Sequence, residues 1–536
     1  MADRRRRGSG TDAGTPLPAE LGLEELYGTP EELETEEEDL VVVPPVRLPA
    51  EAELAAAART APLLELAVRL ARWVAPEKPV DEWGELGAEQ EATAARELGL
   101  HLTDAGELEQ PWSLAVDLGL VAVEGEPEAA RPGPALEALE QADPETVLDL
   151  WFTAATVVAG TTVDAAVEDA ELEEEAVEAA IASATGQNGE TEEDEESEEE
   201  YARAEERREE TQALLDDALQ TLYETRAFAE DTAAETLPLG VLAALLVVPD
   251  GEEPDEEMLG EITEVMITLD PMLQDLAAVG MLDYSPIDPA LFEETDEGEL
   301  EAELDDTDVA RFGQVRLTDL GLFAVREWLL EDGYDAPLIG EHAEGTAQEL
   351  MEYLCGSSNV MPEAEIEAWL SGREPQEAAA ALLEASRGAD ITAPIRRRFT
   401  VLALDRLGEP AEPAARAVLT DPHLNGVAAA WLTARGADDL PEPSQDIRLW
   451  SFVDVLAGRA ITEAPDNDAA RKMIAEAWVD GPDAAWVADL WRVDHPYTTL
   501  VLNMIGAAHP DKGVAKQARK AAYKARSESN AGRARS

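Results

Sequence analysis

The sequence predicts a mainly α-helical protein with small β pieces, in folded segments separated by acidic stretches. Three observations point there. Apolar residues recur at helical spacing over most of the chain, short strand-like stretches are few, and runs of Asp and Glu interrupt the pattern. The 536 residues include 118 Asp+Glu against 39 Lys+Arg, a net charge of −79, yet 45% are hydrophobic. That share is enough to fill cores, so the chain is not wholly disordered despite its charge.

Residues 1–50 read as a disordered acidic N-terminal tail, with acids dominating 31–39 and Pro44, Pro45 and Pro49 following. Residues 51–185 read as a first helical domain. Pro62 can open a helix whose Leu63, Leu66, Ala67, Leu70, Trp73 and Val74 share one face. A further helix is expected around 88–98, and Trp112–Val123 reads as helix, Gly119, then a strand at Leu120–Val123. Nine of the eleven residues from 190 to 200 are acidic, which places a self-repelling linker over 186–211.

Residues 212–344 read as a second domain. Leu215, Leu219 and Leu222 mark one helix, and Leu237–Val248 and Glu256–Thr268 mark two more. PMLQDLAAVGMLDY, 271–284, then gives an amphipathic helix, Gly280 and a strand at Met281–Tyr284. An acidic insert, 285–312, follows, with eleven acids and the single base Arg311 over 285–311. A strand at Gln314–Leu317 leads to Thr318, whose hydroxyl can cap the helix containing Phe323–Leu330. This order resembles the second half of a winged-helix domain, with the 271–280 helix in the recognition position and the insert as its wing. The first domain carries a weaker copy, in which no second LTxxG follows the strand and only Arg131–Pro134 stands there.

From 345 to 511 the text is helix after helix. The stretch 396–432 resembles a HEAT-type repeat: amphipathic helix, Gly/Pro turn, second helix, Asp-Pro break. Residues 512–536 form a basic terminal helix and tail. There Val514, Ala518, Ala521, Ala522 and Ala525 share one face and Lys512, Lys516, Lys520 and Lys524 another. The fold expected is therefore mainly α: winged-helix-like units with short β-wings, then a HEAT-like α-solenoid, joined by acidic disordered linkers.

The segments VRLTDLGLFAVREWL (315–329), 396–432 and HPDKGVAKQARKAAYK (509–524) resemble uncharacterised multidomain proteins of high-GC Gram-positive bacteria. That resemblance implies winged-helix-like and α-solenoid parts and carries no activity with it.

Charge bears directly on function. A recognition helix needs Arg, Lys, Asn or Gln toward bases and cations toward phosphates. Residues 268–280 hold Asp270 and Asp275, no base, and Gln274 as the one polar reader; residues 107–119 hold Glu107, Glu109 and Asp117, again without Lys or Arg. The balance argues against nucleic acid and for a protein partner, a basic one drawn to the acidic segments. The alternative is a transcription-associated DNA-binding protein using the winged-helix-like units and the basic tail, with Lys512, Lys516, Arg519, Lys520 and Lys524 as the contacts.

Catalytic signatures are missing from the text. It has no GxxxxGK[ST], no GxGxxG after a strand and no GxSxG. His101, His342, His423, His495 and His509 do not pair at metal-ligand spacing, and Cys355 has no second cysteine. Cys355 reads as a structural thiol, and neither a cofactor nor a metal is expected. The longest apolar runs, near 148–158 and 237–248, fall short of the ~20 residues that cross a bilayer. With a lone cysteine and no secretory signal, a cytoplasmic, non-catalytic interaction or scaffold protein is the expectation.

Overall fold

The computed structural model describes residues 43–81, 83–101, 106–124, 129–185, 196–228, 236–249, 251–287, 312–356, 360–462, 471–475 and 484–533. They are mainly helical, with two small sheets, and the chain divides into compact units at Val41–Pro337 and from Leu338 onward.

The first unit opens with α1 (Glu51–Ala58) and α2 (Pro62–Trp73). Then come β1 (Lys78–Pro79), α3 (Ala88–Leu98), α4 (Glu109–Asp117), β2 (Val121–Glu124), β3 (Ala129–Pro132) and α5 (Pro134–Glu140). Two long helices follow, α6 (Pro144–Thr185) and α7 (Glu196–Phe228). The order then recurs: β4 (Leu237–Pro238), α8 (Leu239–Val247), α9 (Glu256–Ala278), β5 (Leu282–Ile287), β6 (Phe312–Leu317) and α10 (Asp319–Glu331).

Both sheets are antiparallel and place the third strand in the middle, β1-β3-β2 and β4-β6-β5. The registers correspond. Lys78 faces Ala130 and Val121 faces Pro132 in the first; Leu237 faces Val315 and Leu282 faces Leu317 in the second. Each corner also turns on a glycine, Gly119 at φ +65° and Gly280 at φ +89°, a backbone state that only glycine enters freely. Beyond each third strand stands a glycine, Gly133 or Gly321, where a Cβ would land on a carbonyl oxygen of the first corner, that of Gly119 or Met281. The first half is thus a full counterpart of the second. A second strand does follow its corner, at Ala129–Pro132, where the sequence showed only Arg131–Pro134.

α6 carries the core that both halves share. Its Trp151 is fully buried and donates its indole N–H to the Val279 carbonyl at 2.9 Å. Phe152 meets Phe323 and Trp328 with ring centroids 6.3 and 5.8 Å apart. An 18-residue window of α6 is apolar enough for a membrane span by length and composition, but Val147, Leu148, Ala154, Ala155, Val158 and Val163 are buried inside the unit. Apolar surface removed from water this way drives packing at about 25 cal/mol per Å².

Four expectations change. Residues 51–185 and 212–337 lie in one compact unit, because α6 packs on α9 and on α1, and 338–344 fall in the other unit. The linker assigned to 186–211 is helix from Glu196 onward, and 186–195 fall outside the described residues. The tail assigned to 1–50 ends in a packed segment: Val43 and Val46 are buried and donate backbone N–H groups to the Asp335 and Pro337 carbonyls. Residues 1–42 and most of the 285–312 insert, 288–311, fall outside the described residues. Finally, the two helices expected at 256–268 and 271–280 are one, α9, which runs through Pro271. Proline removes one ladder hydrogen bond, and the burial of Leu269, Met272, Leu273, Leu276 and Val279 around it holds the helix together.

Among the described residues the second unit's α-helices are α11 (Ala347–Gly356), α12 (Pro362–Leu370), α13 (Pro375–Ala385), α14 (Ala393–Leu407), α15 (Glu412–Ala417), α16 (Asn425–Ala434), α17 (Gln445–Thr462), α18 (Ala484–Val487), α19 (Thr498–Ala508) and α20 (Lys512–Arg533). Its core advances along the chain. α13 gives Ala378 and Leu382 to one cluster and Ala379 and Leu383 to the next. α14 does the same with Phe399 and Ala403 on one side and Leu404 on the other. α17 to α20 close the series in a third cluster.

Candidate functional site

The surface of the first unit that stands out lies on α8 and α9. These helices pack together, with Gly240 against the Met266 sulfur, where a Cβ would stand at 3.5 Å, an ordinary van der Waals contact. Asp255 caps α9 by accepting the N–H groups of Glu257 and Met258 at 3.1 and 3.0 Å. The helix has 23 residues, a length of about 34 Å. Its C-terminal half is anchored in the core, whereas no residue from 256 to 268 is fully buried. Leu259 and Ile267 are 54% and 53% exposed, and on α8 Val241 and Leu245 are 45% and 58% exposed. Each pair lies on one side of its helix, at spacings of eight and four residues.

The same segment is acidic. Residues 239–278 hold ten Asp or Glu and no Lys, Arg or His. The polar reader expected on this helix is already engaged: Gln274 donates to Asp270 Oδ2 at 2.8 Å. Asp270 Oδ1 in turn accepts from the Tyr284 hydroxyl at 2.5 Å and the Ile287 N–H at 3.1 Å, which fixes the start of the strand excursion. Burial, then the Asp270 carboxylate, push the Tyr284 phenol far above its ordinary range, so it stays a neutral donor. In the first half α4 has nine residues, and Glu109 and Asp117 are its charged groups.

The terminal helix splits along its predicted faces. Val514, Ala518, Ala521, Ala522 and Ala525 are buried in the third cluster of the second unit, while Lys512, Lys516, Lys520 and Lys524 are exposed. Two of the five expected contact residues have structural roles. Arg519 donates to the Gly506 carbonyl, tying α20 to α19, and the Lys524 ammonium lies 5.2 Å from the centre of the Trp491 ring. Lys512, Lys516 and Lys520 remain as an open basic edge.

A buried polar cluster in the second unit had no signature in the sequence. Arg397 on α14 and Asp454 on α17 form a two-pronged ion pair, with Nε to Oδ2 at 2.7 Å and Nη2 to Oδ1. Their side chains are 2% and 6% exposed. Arg397 also donates to the Ser386 and Gly388 carbonyls, both at 2.9 Å. His495 Nδ1 accepts the Tyr497 N–H at 3.2 Å, so Nε2 carries the proton and donates to Asp454 Oδ1 at 3.1 Å. Trp450 lies against Arg397, His495 and His423. Burial would raise the Asp454 carboxyl, but the hydrogen bonds from His495 and Arg397 and the Arg397 charge outweigh it and hold it below its ordinary value. Burial first, then the Arg397 and Arg387 charges, lower His423. An Asp–His pair invites comparison with hydrolytic triads. Here the far nitrogen of the imidazole is taken by a backbone N–H, so it has no lone pair for a nucleophile's proton. The cluster locks α14, α17 and the 493–498 turn together.

An open groove of about 460 Å³ runs between α16, α17 and α18, lined by Asn425, Ile447, Phe452, Val455 and Trp486 with Arg448 and Arg459. Cys355 is half-buried, and desolvation pushes its thiol up to about 11, which leaves it unreactive near neutral pH. Among the described residues no group of three or more His, Cys, Asp or Glu is placed to hold a metal ion. No family model, curated protein or solved structure matches the chain.

Proposed function

We propose that this chain is a non-catalytic protein-interaction scaffold, built from two winged-helix-like halves and a HEAT-like helical body, with acidic segments that attract basic partners. Helix, strand, two helices and two strands, with the third strand central, support the winged-helix reading of each half. A core handed from one helix pair to the next supports the HEAT-like reading. The observation that carries the function is the charge of α9. The helix in the recognition position has no cation and is rich in carboxylates, so a DNA backbone would meet like charge where it needs Lys or Arg.

Gel-shift with random and genomic DNA, at about 50 mM salt where phosphate contacts are strongest, tests this reading. No shift is expected. A shift abolished by replacing Lys512, Lys516 and Lys520 with Glu would replace the scaffold reading by DNA binding through the terminal helix.

A further inference from the structure

The two halves of the first unit share strand register and corner geometry but differ in the helix that leads into the corner. α4 spans 9 residues, whereas α9 spans 23, and the added N-terminal stretch is the part with no fully buried side chain. Solvated helix surface is ordinarily polar, yet this stretch and its neighbour α8 expose Val241, Leu245, Leu259 and Ile267. Among the described residues from 51 to 140, which hold the counterpart elements, the large hydrophobic side chain exposed to a like degree is Trp83, which lies outside the helices; Leu172 on α6 and Phe228 on α7 are exposed singly. Two packed helices that together keep four large apolar groups in water beside a rim of acids present a surface of the kind that partners cover.

We infer that the outer face of α8 and α9 is a docking site for a cationic amphipathic helix of a partner protein. This rests on the scaffold reading and names where and by what chemistry it operates. The apolar side chains supply a stripe for a helix with anchors at i, i+3, i+4 and i+7. Seven exposed carboxylates between 252 and 264, with no cation anywhere in 239–278, supply the complement for Lys and Arg flanking those anchors. Charge also excludes other occupants. A second copy would bring the same exposed carboxylates to the interface, and an anionic lipid surface or nucleic acid would repel them.

Three synthetic 18-residue peptides test the site on the full chain by fluorescence anisotropy. One is a Leu/Lys helix with a single apolar stripe, the second has the same composition with the stripe scrambled, and the third carries Glu for Lys. The striped cationic peptide is expected to bind at least about tenfold tighter than the scrambled one. The exposed double variant Leu245→Ser/Leu259→Ser is expected to erase that preference while keeping its circular dichroism. Equal binding of striped and scrambled peptides, or an unchanged preference in the double variant, would overturn the site and show acids attracting cations without it. Tight binding of the acidic peptide would overturn its charge, and no binding of any peptide its existence. Sedimentation showing wild-type dimers that the double variant loses would give the face to a second copy instead. The scaffold reading fails separately, in the gel-shift above, so the two failures are distinguishable.

Discussion

Replacing Asp454 with Ala isolates the energetics of the buried cluster in the second unit. The carboxylate accepts two bonds from Arg397 and one from His495, with both members of the ion pair almost inaccessible to water. Removing it leaves a guanidinium charge buried without a counter-ion, which costs about 3–5 kcal/mol. Two backbone carbonyls, of Ser386 and Gly388, still bind that guanidinium but carry no charge to balance it. The matched control is Glu363→Ala, which removes the partner of Arg406 from a pair 50% and 67% exposed and costs about 0–1 kcal/mol. Two compact units make global unfolding a poor assay, because one transition need not report both. Native-state hydrogen exchange, read by mass spectrometry over 393–407 and 445–462, is local instead. At about 1.4 kcal/mol per decade, Asp454→Ala is expected to speed exchange there by roughly two to four orders of magnitude, against less than one for the control. Equal protection in the two variants would refute the claim that the pair is desolvated and holds α14 to α17.

Four further outcomes follow from named contacts. Acidification should weaken the same region in two stages. His423, held below its ordinary value, favours the fold above the unfolded pKa of about 6.5 and destabilises it as pH falls past that point; Asp454 does the same below about 3.9, and a pH series in His423→Gln should lose only the first stage. Gly321→Ala would drive a Cβ onto the Met281 carbonyl oxygen and to 2.6 Å from Leu317 Cδ2, so native-state hydrogen exchange over 312–331 should show a loss of about 1–3 kcal/mol or more. Gly160→Ala, in the helix α6 with nothing within 4 Å of the new methyl, should stabilise by about 0.5–1 kcal/mol. Thr318→Ala removes the hydroxyl that accepts the Gly321 N–H at 3.0 Å and donates to the Gly280 carbonyl at 2.7 Å; a loss of about 1 kcal/mol, restored by Thr318→Ser, is expected in hydrogen exchange over 319–331.

Much of the helical text was legible because burial follows local period. Leu215, Leu219 and Leu222, then Leu63, Ala67, Leu70 and Val74, and the alanine face of α20 are buried as their spacing predicts, whereas Leu66 and Trp73 of the same predicted face are half-buried; Thr318 caps the helix it precedes. Where reading went astray, a local rule met a tertiary override. Pro271 looked like a boundary between helices, but core burial on its flanks carries α9 through it. The acid-rich stretch after 196 looked like a linker by composition, and it is the beginning of α7. β3 escaped notice because Ala129–Pro132 has no strand-like composition; it forms through pairing with β1 and β2 on either side.

By itself the sequence determined that the chain is mainly helical, where its acids lie, and that its terminal helix has one alanine face and one basic face. These are properties of neighbours within a few residues, and helical period and charge act at that range. Only the tertiary structure decided that the two halves share one register, that Arg397, Asp454 and His495 meet across 57 and 41 residues, and that the apolar groups of α8 and α9 stay in water. The first two depend on pairing and packing between distant segments. The last depends on which faces the core leaves uncovered, which no local pattern records.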